Sequence, residues 1–146
     1  MFGLVMKALR PLMIFCLAIA LCACGKPDWL KEAEAGDPEA QYYAGFNYAT
    51  GRYVSLDLQE AMKWYRRAAL QGHVEAQHNL GYRYATGKGV ARNDIEAYAW
   101  YSLNPSFFHP GSRQVFEDVV NRLSSNDKEL AQERLRELRA IIPRSN

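Results

Sequence analysis

Shifting the chain by 36 residues lays it onto itself, and this periodicity narrows the possible folds more than any other feature. Gly36, Glu39, Ala40, Gln41 and Gly45 fall on Gly72, Glu75, Ala76, Gln77 and Gly81. Tyr48, Ala49, Thr50, Gly51 and Val54 fall on Tyr84, Ala85, Thr86, Gly87 and Val90, and Glu60, Ala61, Trp64 and Tyr65 fall on Glu96, Ala97, Trp100 and Tyr101. Identity at so many positions under one period marks a repeat protein, in which each unit buries its apolar face only against its neighbours.

Each unit reads as two helices. Helix A is predicted over Pro38 to Thr50: Asp37 suits the cap, Pro38 the first helical position and Gly51 the left-handed stop. Helix B is predicted over Leu58 to Gln71, where Asp57 followed by Glu60 gives a start like a capping box. Asn93 and Glu96 repeat that start in the second copy. Ala40, Ala44 and Tyr48 stand four residues apart, as do Ala76, Leu80 and Tyr84, so each set shares a helix face and is expected to form the core seam. Gly45 and Gly81 sit in mid-helix, where glycine costs about 1 kcal/mol relative to alanine. That cost predicts a close approach of helix B, with Trp64 and Trp100 packing nearby.

The ends depart from the period. Trp29 and Ala33 stand one period before Tyr65 and Ala69, so Asp28 to Ala35 is expected to be a remnant B helix covering the first unit. Pro105 and Pro110 break the pattern. Beyond them, Ser112 to Leu123 and Asp127 to Ile141 form two amphipathic segments, the second carrying Leu130, Leu135 and Leu138 among many charges. The expected fold is therefore all-α: a solenoid of stacked helix-turn-helix repeats, with units at 36–71 and 72–104. A short capping helix lies within 24–35, a loop spans 105–111, and a degenerate C-terminal hairpin at 112–146 caps the stack.

The first residues have another character. Lys7 and Arg10 precede an apolar run from Pro11 to Ala23, the layout of a secretory signal over 1–23. The run is about 13 residues, short of the roughly 20 that a spanning helix needs. Its end, Leu21-Cys22-Ala23-Cys24-Gly25, resembles the lipobox of bacterial lipoproteins. That resemblance implies cleavage before Cys24, lipidation of its thiol and, because Gly25 rather than Asp follows, export to the outer membrane, facing the periplasm. The cysteines Cys16, Cys22 and Cys24 all lie at or before this cut, which leaves no disulfide, thiol nucleophile or Cys-ligated metal for the mature domain. Two or three acyl chains, at about 0.8 kcal/mol per buried methylene, make a lasting anchor. Of 18 basic and 16 acidic residues, removing Lys7 and Arg10 leaves equal numbers. A neutral domain without a basic block gives no basis for nucleic-acid binding.

The run from Ala33 to Gln41, with Gly45, Tyr48, Gly51, Asp57, Ala61, Trp64-Tyr65 and Ala68-Ala69, resembles the Sel-like repeats, relatives of the tetratricopeptide repeats. Gly72, Glu75-Ala76-Gln77, Leu80-Gly81, Tyr84, Gly87, Gly89-Val90, Ala97 and Trp100-Tyr101 extend the likeness through the second unit. The sequence departs from the pattern at Tyr53, which replaces a loop glycine, and at Asn104-Pro105, where regular stacking is expected to stop. The resemblance implies a protein-binding module with Glu39, Tyr42, Phe46, Glu75, His78 and Tyr82 lining the concave side. Tyr42 becomes His78 and Tyr43 becomes Asn79 between units, variation that partner-specific binding permits. The alternative for Phe46 and Tyr82 is packing between neighbouring A helices. Some short lipoproteins of this kind are immunity proteins that neutralise secreted lipase effectors, a sharper form of the same expectation.

No residue set supports an enzyme such as a cell-wall hydrolase, and no cofactor is expected. His73 and His78 are five apart and do not share a helix face as a metal pair would, and His109 falls in a loop. Ser55, Ser112, Ser124 and Ser125 sit at helix starts and ends, and Gly87-Lys88-Gly89 matches the turn Gly51-Arg52-Tyr53. Replacing Cys24→Ser should leave an unlipidated precursor or a soluble species. Metabolic labelling with a fatty-acid analogue checks this, and label persisting on the variant would refute the lipid assignment.

Overall fold

The computed structural model describes residues 27–104 and 110–143. The expected leader, Cys24, Pro105 and His109 lie outside them. Among the described residues there are seven helices and no strand: α1 (Asp28–Ala35), α2 (Pro38–Thr50), α3 (Leu58–Leu70), α4 (Val74–Thr86), α5 (Asp94–Tyr101), α6 (Pro110–Arg122) and α7 (Ser125–Ile141). Consecutive helices pack as antiparallel pairs, α2 with α3 and α4 with α5, and the pairs stack into a short solenoid. None of these helices is long and apolar enough to cross a membrane.

The helix boundaries follow their capping chemistry. The Asp37 carboxylate accepts from the Ala40 amide at 2.7 Å, and Gly51 closes α2 in the left-handed region. Asp57 accepts from the amides of Gln59 and Glu60, and Asn93 from that of Glu96. The reciprocal half of the expected capping box does not form. The Asp57 and Asn93 amides donate instead to the Tyr48 and Tyr84 carbonyls one helix back, so each cap also fixes the A–B turn. Glu60, released from that role, pairs with Lys63, while Glu96 accepts from Trp100 Nε1. Helix α3 ends at Leu70, with Gln71 as its C-cap rather than its last residue.

The mid-helix glycines are close-packing sites. A Cβ on Gly45 would stand 2.8 Å from the ring of Tyr65, and one on Gly81 2.8 Å from that of Tyr101. The rings that close on them are thus the tyrosines, one residue beyond the tryptophans named from sequence. Ala40, Ala44, Ala76, Leu80 and Tyr84 are buried as the seam requires, and Tyr48 is half-buried.

Polar stitching repeats with the same period. Buried Gln41 donates to the Ala33 carbonyl at 3.1 Å, and Gln77 to that of Ala69 at 3.0 Å, so each A helix is bonded to the B helix before it. The side-chain Oε1 of Gln41 accepts from Gln71, and that of Gln77 from Asn104. Asn104, where the sequence leaves the repeat pattern, therefore takes over the role of Gln71. The remnant helix α1 packs on α2 and buries Ala33 as expected of a cap.

At the other end α7 lies against α5 with Ala131, Leu135 and Leu138 buried, while Leu130 is 50% exposed and does not belong to the seam. Two arginines clamp this hairpin to the first turn of α5. Arg122 donates twice to Asp94, at 2.7 and 2.8 Å, and Arg134 donates to Glu96 at 2.7 Å. In the loops, Gly89 is left-handed, and a Cβ there would meet Leu58 at 2.6 Å. Tyr53, one period earlier, is also left-handed, yet its side chain is 78% exposed.

Gly81→Ala should lower the melting temperature despite alanine's better helix propensity, and Gly81→Leu should cost about 1 to 3 kcal/mol by overpacking against Tyr101. Thermal melts followed by circular dichroism check both. The Arg122 guanidinium holds the Asp94 carboxyl below the usual carboxylate range. The clamp's contribution is therefore fully present above the ordinary carboxylate pKa of about 3.9 and lost as pH falls through the lowered folded-state value. Asp94→Asn should destabilise by up to about 1 kcal/mol at neutral pH, and the difference from the wild-type melt should vanish in strong acid.

Candidate protein-binding groove

Four of the six residues expected on the concave side come together. Tyr42, Glu75, His78 and Tyr82 line a groove of about 630 Å³, joined by Asn79 and by Gly111, Ser112 and Val115 of α6. Tyr42 contributes from α2, and α4 forms the floor with positions three and four apart on one face. The wall from α6 was not foreseen. Its residues lie beyond the break at Pro105, where no period points back to α4, and only the packing of α6 on α4 brings them in.

The side chains of the groove are held firmly. The Tyr42 ring stacks on His73 at 4.7 Å and leans on Tyr65 at 5.9 Å. Burial first, then the nearby Glu75, Tyr43 and Glu39, raises the Tyr42 phenol above its ordinary pKa. The His73 side chain is only 8% exposed. Its Nδ1 accepts from the Ala76 amide as the cap of α4, which leaves Nε2 to donate to Glu39 at 2.9 Å. This histidine is a structural hinge pin between the two units. His78 packs edge-on against Tyr101 at 5.2 Å and is half-buried. Lys88 donates to the Tyr82 hydroxyl at 3.0 Å and sits over its ring, while Asn79 donates to the Glu75 carbonyl.

The other two expected residues face elsewhere. Glu39 and Phe46 line a second concavity, about 430 Å³, with Trp29, Tyr43, Arg52 and Tyr53. Phe46 is 37% exposed, whereas Tyr82 packs partly against the core. A third cleft of about 340 Å³ lies beside Gln77, Asn104 and Arg139, at the junction of the second unit with α7. Among the described residues no three His, Cys, Asp or Glu side chains group as metal ligands would. The main groove instead offers phenols, an amide, an imidazole, one carboxylate and a wall of Gly111, Ser112 and Val115.

The sequence model of the Sel1 repeat matches residues 38–73 and 74–103. The two units are Sel1 repeats. A crystal structure of a protective antigen from uropathogenic Escherichia coli, described as displaying an SLR fold, superposes with a TM-score of 0.70 at 27% identity. The superposition covers 77% of this chain and 24% of that one. A Sel1 repeat protein from Oxalobacter formigenes superposes with a TM-score of 0.57 at 36% identity, over 62% of this chain and 26% of its own. This chain thus spans about a quarter of each solved relative. No curated protein matches it. Sel1 repeat proteins are protein-interaction modules, and the groove lies on the Sel1 repeats themselves, with α6 added as a wall.

Tyr42→Ala should lower the melting temperature, because it removes the stack on His73 and the contact with Tyr65. Asn79→Arg, at the groove surface, should leave the melting temperature within about 0.5 kcal/mol equivalent of wild type. Paired thermal melts distinguish scaffold from surface at these two positions.

Proposed function

We propose that this chain is a lipid-anchored protein-binding module of the bacterial envelope, held by Cys24 and facing the periplasm, that captures a polypeptide partner in the groove between α4 and α6. The observation that carries this reading is the convergence of Tyr42, Glu75, His78, Asn79 and Tyr82 with Ser112 and Val115 in one groove. Ala40, Gly45, Tyr48 and Trp64 recur as Ala76, Gly81, Tyr84 and Trp100, whereas Tyr42 becomes His78 and Tyr43 becomes Asn79, variation that partner-specific binding permits.

An anchored binder has most use against a partner that also works at the membrane. A secreted lipase attacking the periplasmic membrane face is such a partner, and the chain would then act as its immunity protein. The lipobox-like sequence at Leu21 to Gly25 supports this reading.

The test is capture from envelope extracts and from a co-expressed lipase. Asn79→Arg should cut recovery by roughly thirtyfold, the equivalent of about 2 kcal/mol for hot-spot loss, while melting and helicity stay close to wild type. Leu130→Ala, on the outer side of α7, should leave capture unchanged. Loss of capture on Leu130→Ala with the groove variant still active would move the binding face to the last hairpin. Capture of an envelope protein with no lipase activity would keep the module and remove the immunity role.

A further inference from the structure

We infer that the N-terminal end of the solenoid is a membrane-contact surface, on which Trp29, Tyr43, Phe46 and Tyr53 rest against the zwitterionic phospholipid interface that holds the anchor. This rests on the reading of Cys24 as the lipidated residue. The repeat itself shows that the end is unusual. Trp29 stands one period before Tyr65 and two before Tyr101, whose rings each close on a glycine of their own A helix. Trp29 lies at the start of α1, which has no A helix before it among the described residues, and its half-buried ring lines the concavity beside α2.

Around it stand exposed aromatic side chains. Tyr43 is 49% exposed, and the left-handed Tyr53 holds its ring out at the rim with Arg52 over it at 5.7 Å. In the second unit Tyr43 and Tyr53 give way to Asn79 and Gly89, while Phe46 is matched by Tyr82, so the two exposed tyrosines belong to the first unit alone. Tyrosine and tryptophan, with an apolar body and a polar tip, favour the boundary between headgroups and acyl chains.

Chain length makes this the end that must approach the bilayer. Only Gly25, Lys26 and Pro27 separate Cys24 from α1, and four steps of at most about 3.6 Å keep Asp28 within about 14 Å of an anchored cysteine. A tether so short keeps the effective concentration of the interface high, so even weak aromatic contacts are occupied. Charge selects the kind of lipid. Glu32, Asp37 and Glu39 line the concavity against Arg52, which gives anionic headgroups no attraction there. Contact therefore depends on aromatic burial rather than on basic residues.

The experiment uses the full chain purified from a lipoprotein-processing bacterium and reconstituted into phosphatidylcholine vesicles carrying brominated acyl chains. Mass spectrometry first establishes whether Cys24 is acylated. Trp64 and Trp100 are buried in the repeats, so quenching reports on Trp29 among the three tryptophans. The expected result is quenching of one tryptophan, lost in Trp29→Phe, reduced in the Phe46→Ser, Tyr53→Ser double variant, and not increased by phosphatidylglycerol. Acylated protein without quenching overturns the contact surface and leaves the anchor standing. So does quenching that requires anionic lipid, or quenching that survives Trp29→Phe. A chain that is cut and exported but not acylated overturns the anchor, and the contact surface with it.

Discussion

Two close approaches between a tyrosine ring and a glycine backbone set the spacing on which the solenoid depends. Tyr65 lies on Gly45 and Tyr101 on Gly81, each near enough that a single added carbon would collide with the ring. The helices of each pair can then come together tightly enough for small residues, Ala40, Ala44, Ala61 and Ala76, to fill the seam. The second unit admits Leu80 where the first has Ala44. A solenoid of so few units has little core to spare, so the helix-propensity cost of glycine is offset by dispersion contacts over the whole ring face.

Between units the demands are polar. An A helix packed on the B helix before it meets carbonyls at that helix's C-terminal end, where intrahelical partners run out. Gln41 and Gln77 add a second donor to the Ala33 and Ala69 carbonyls, which already accept from the Gly36 and Gly72 amides, and Gln71 and Asn104 satisfy the glutamine side-chain oxygens in turn. A buried amide with both ends bonded fixes register as a slippery apolar contact does not. At the C-terminal end the pattern stops, and charge replaces it. Asp94 and Glu96, at the start of α5, hold Arg122 and Arg134 of the two last helices.

The closing hairpin changes what the repeats can do. With α6 standing across from α4, an open concave face becomes a groove with a floor of repeat residues and a wall that is not part of any repeat. At the opposite end the first unit, covered by α1, keeps exposed aromatics close to the start of the described chain. The two ends of the described stack thus differ: one is closed by a hairpin that walls a groove, and the other presents exposed aromatic side chains.

The architecture was legible because a repeat states its rules twice. Asp37, Asp57 and Asn93 announced helix starts, Gly51 and Gly87 helix ends, and the glycine pair a close helix contact, all through local chemistry that period and spacing reveal. The same logic placed α1 as a remnant B helix and the last forty residues as a capping hairpin. Three features depended on tertiary structure. Tyr65 rather than Trp64 closes on Gly45, a choice between adjacent residues made by the rotation of one helix against another. His73 both caps α4 and bonds to Glu39 of the preceding unit, a pairing across 34 residues that no local rule contains. The groove wall from Ser112 and Val115 lies beyond the break in the period, so its position was set only when α6 folded back against α4. Periodicity encodes contacts that repeat; contacts made once, at the ends, are decided by packing.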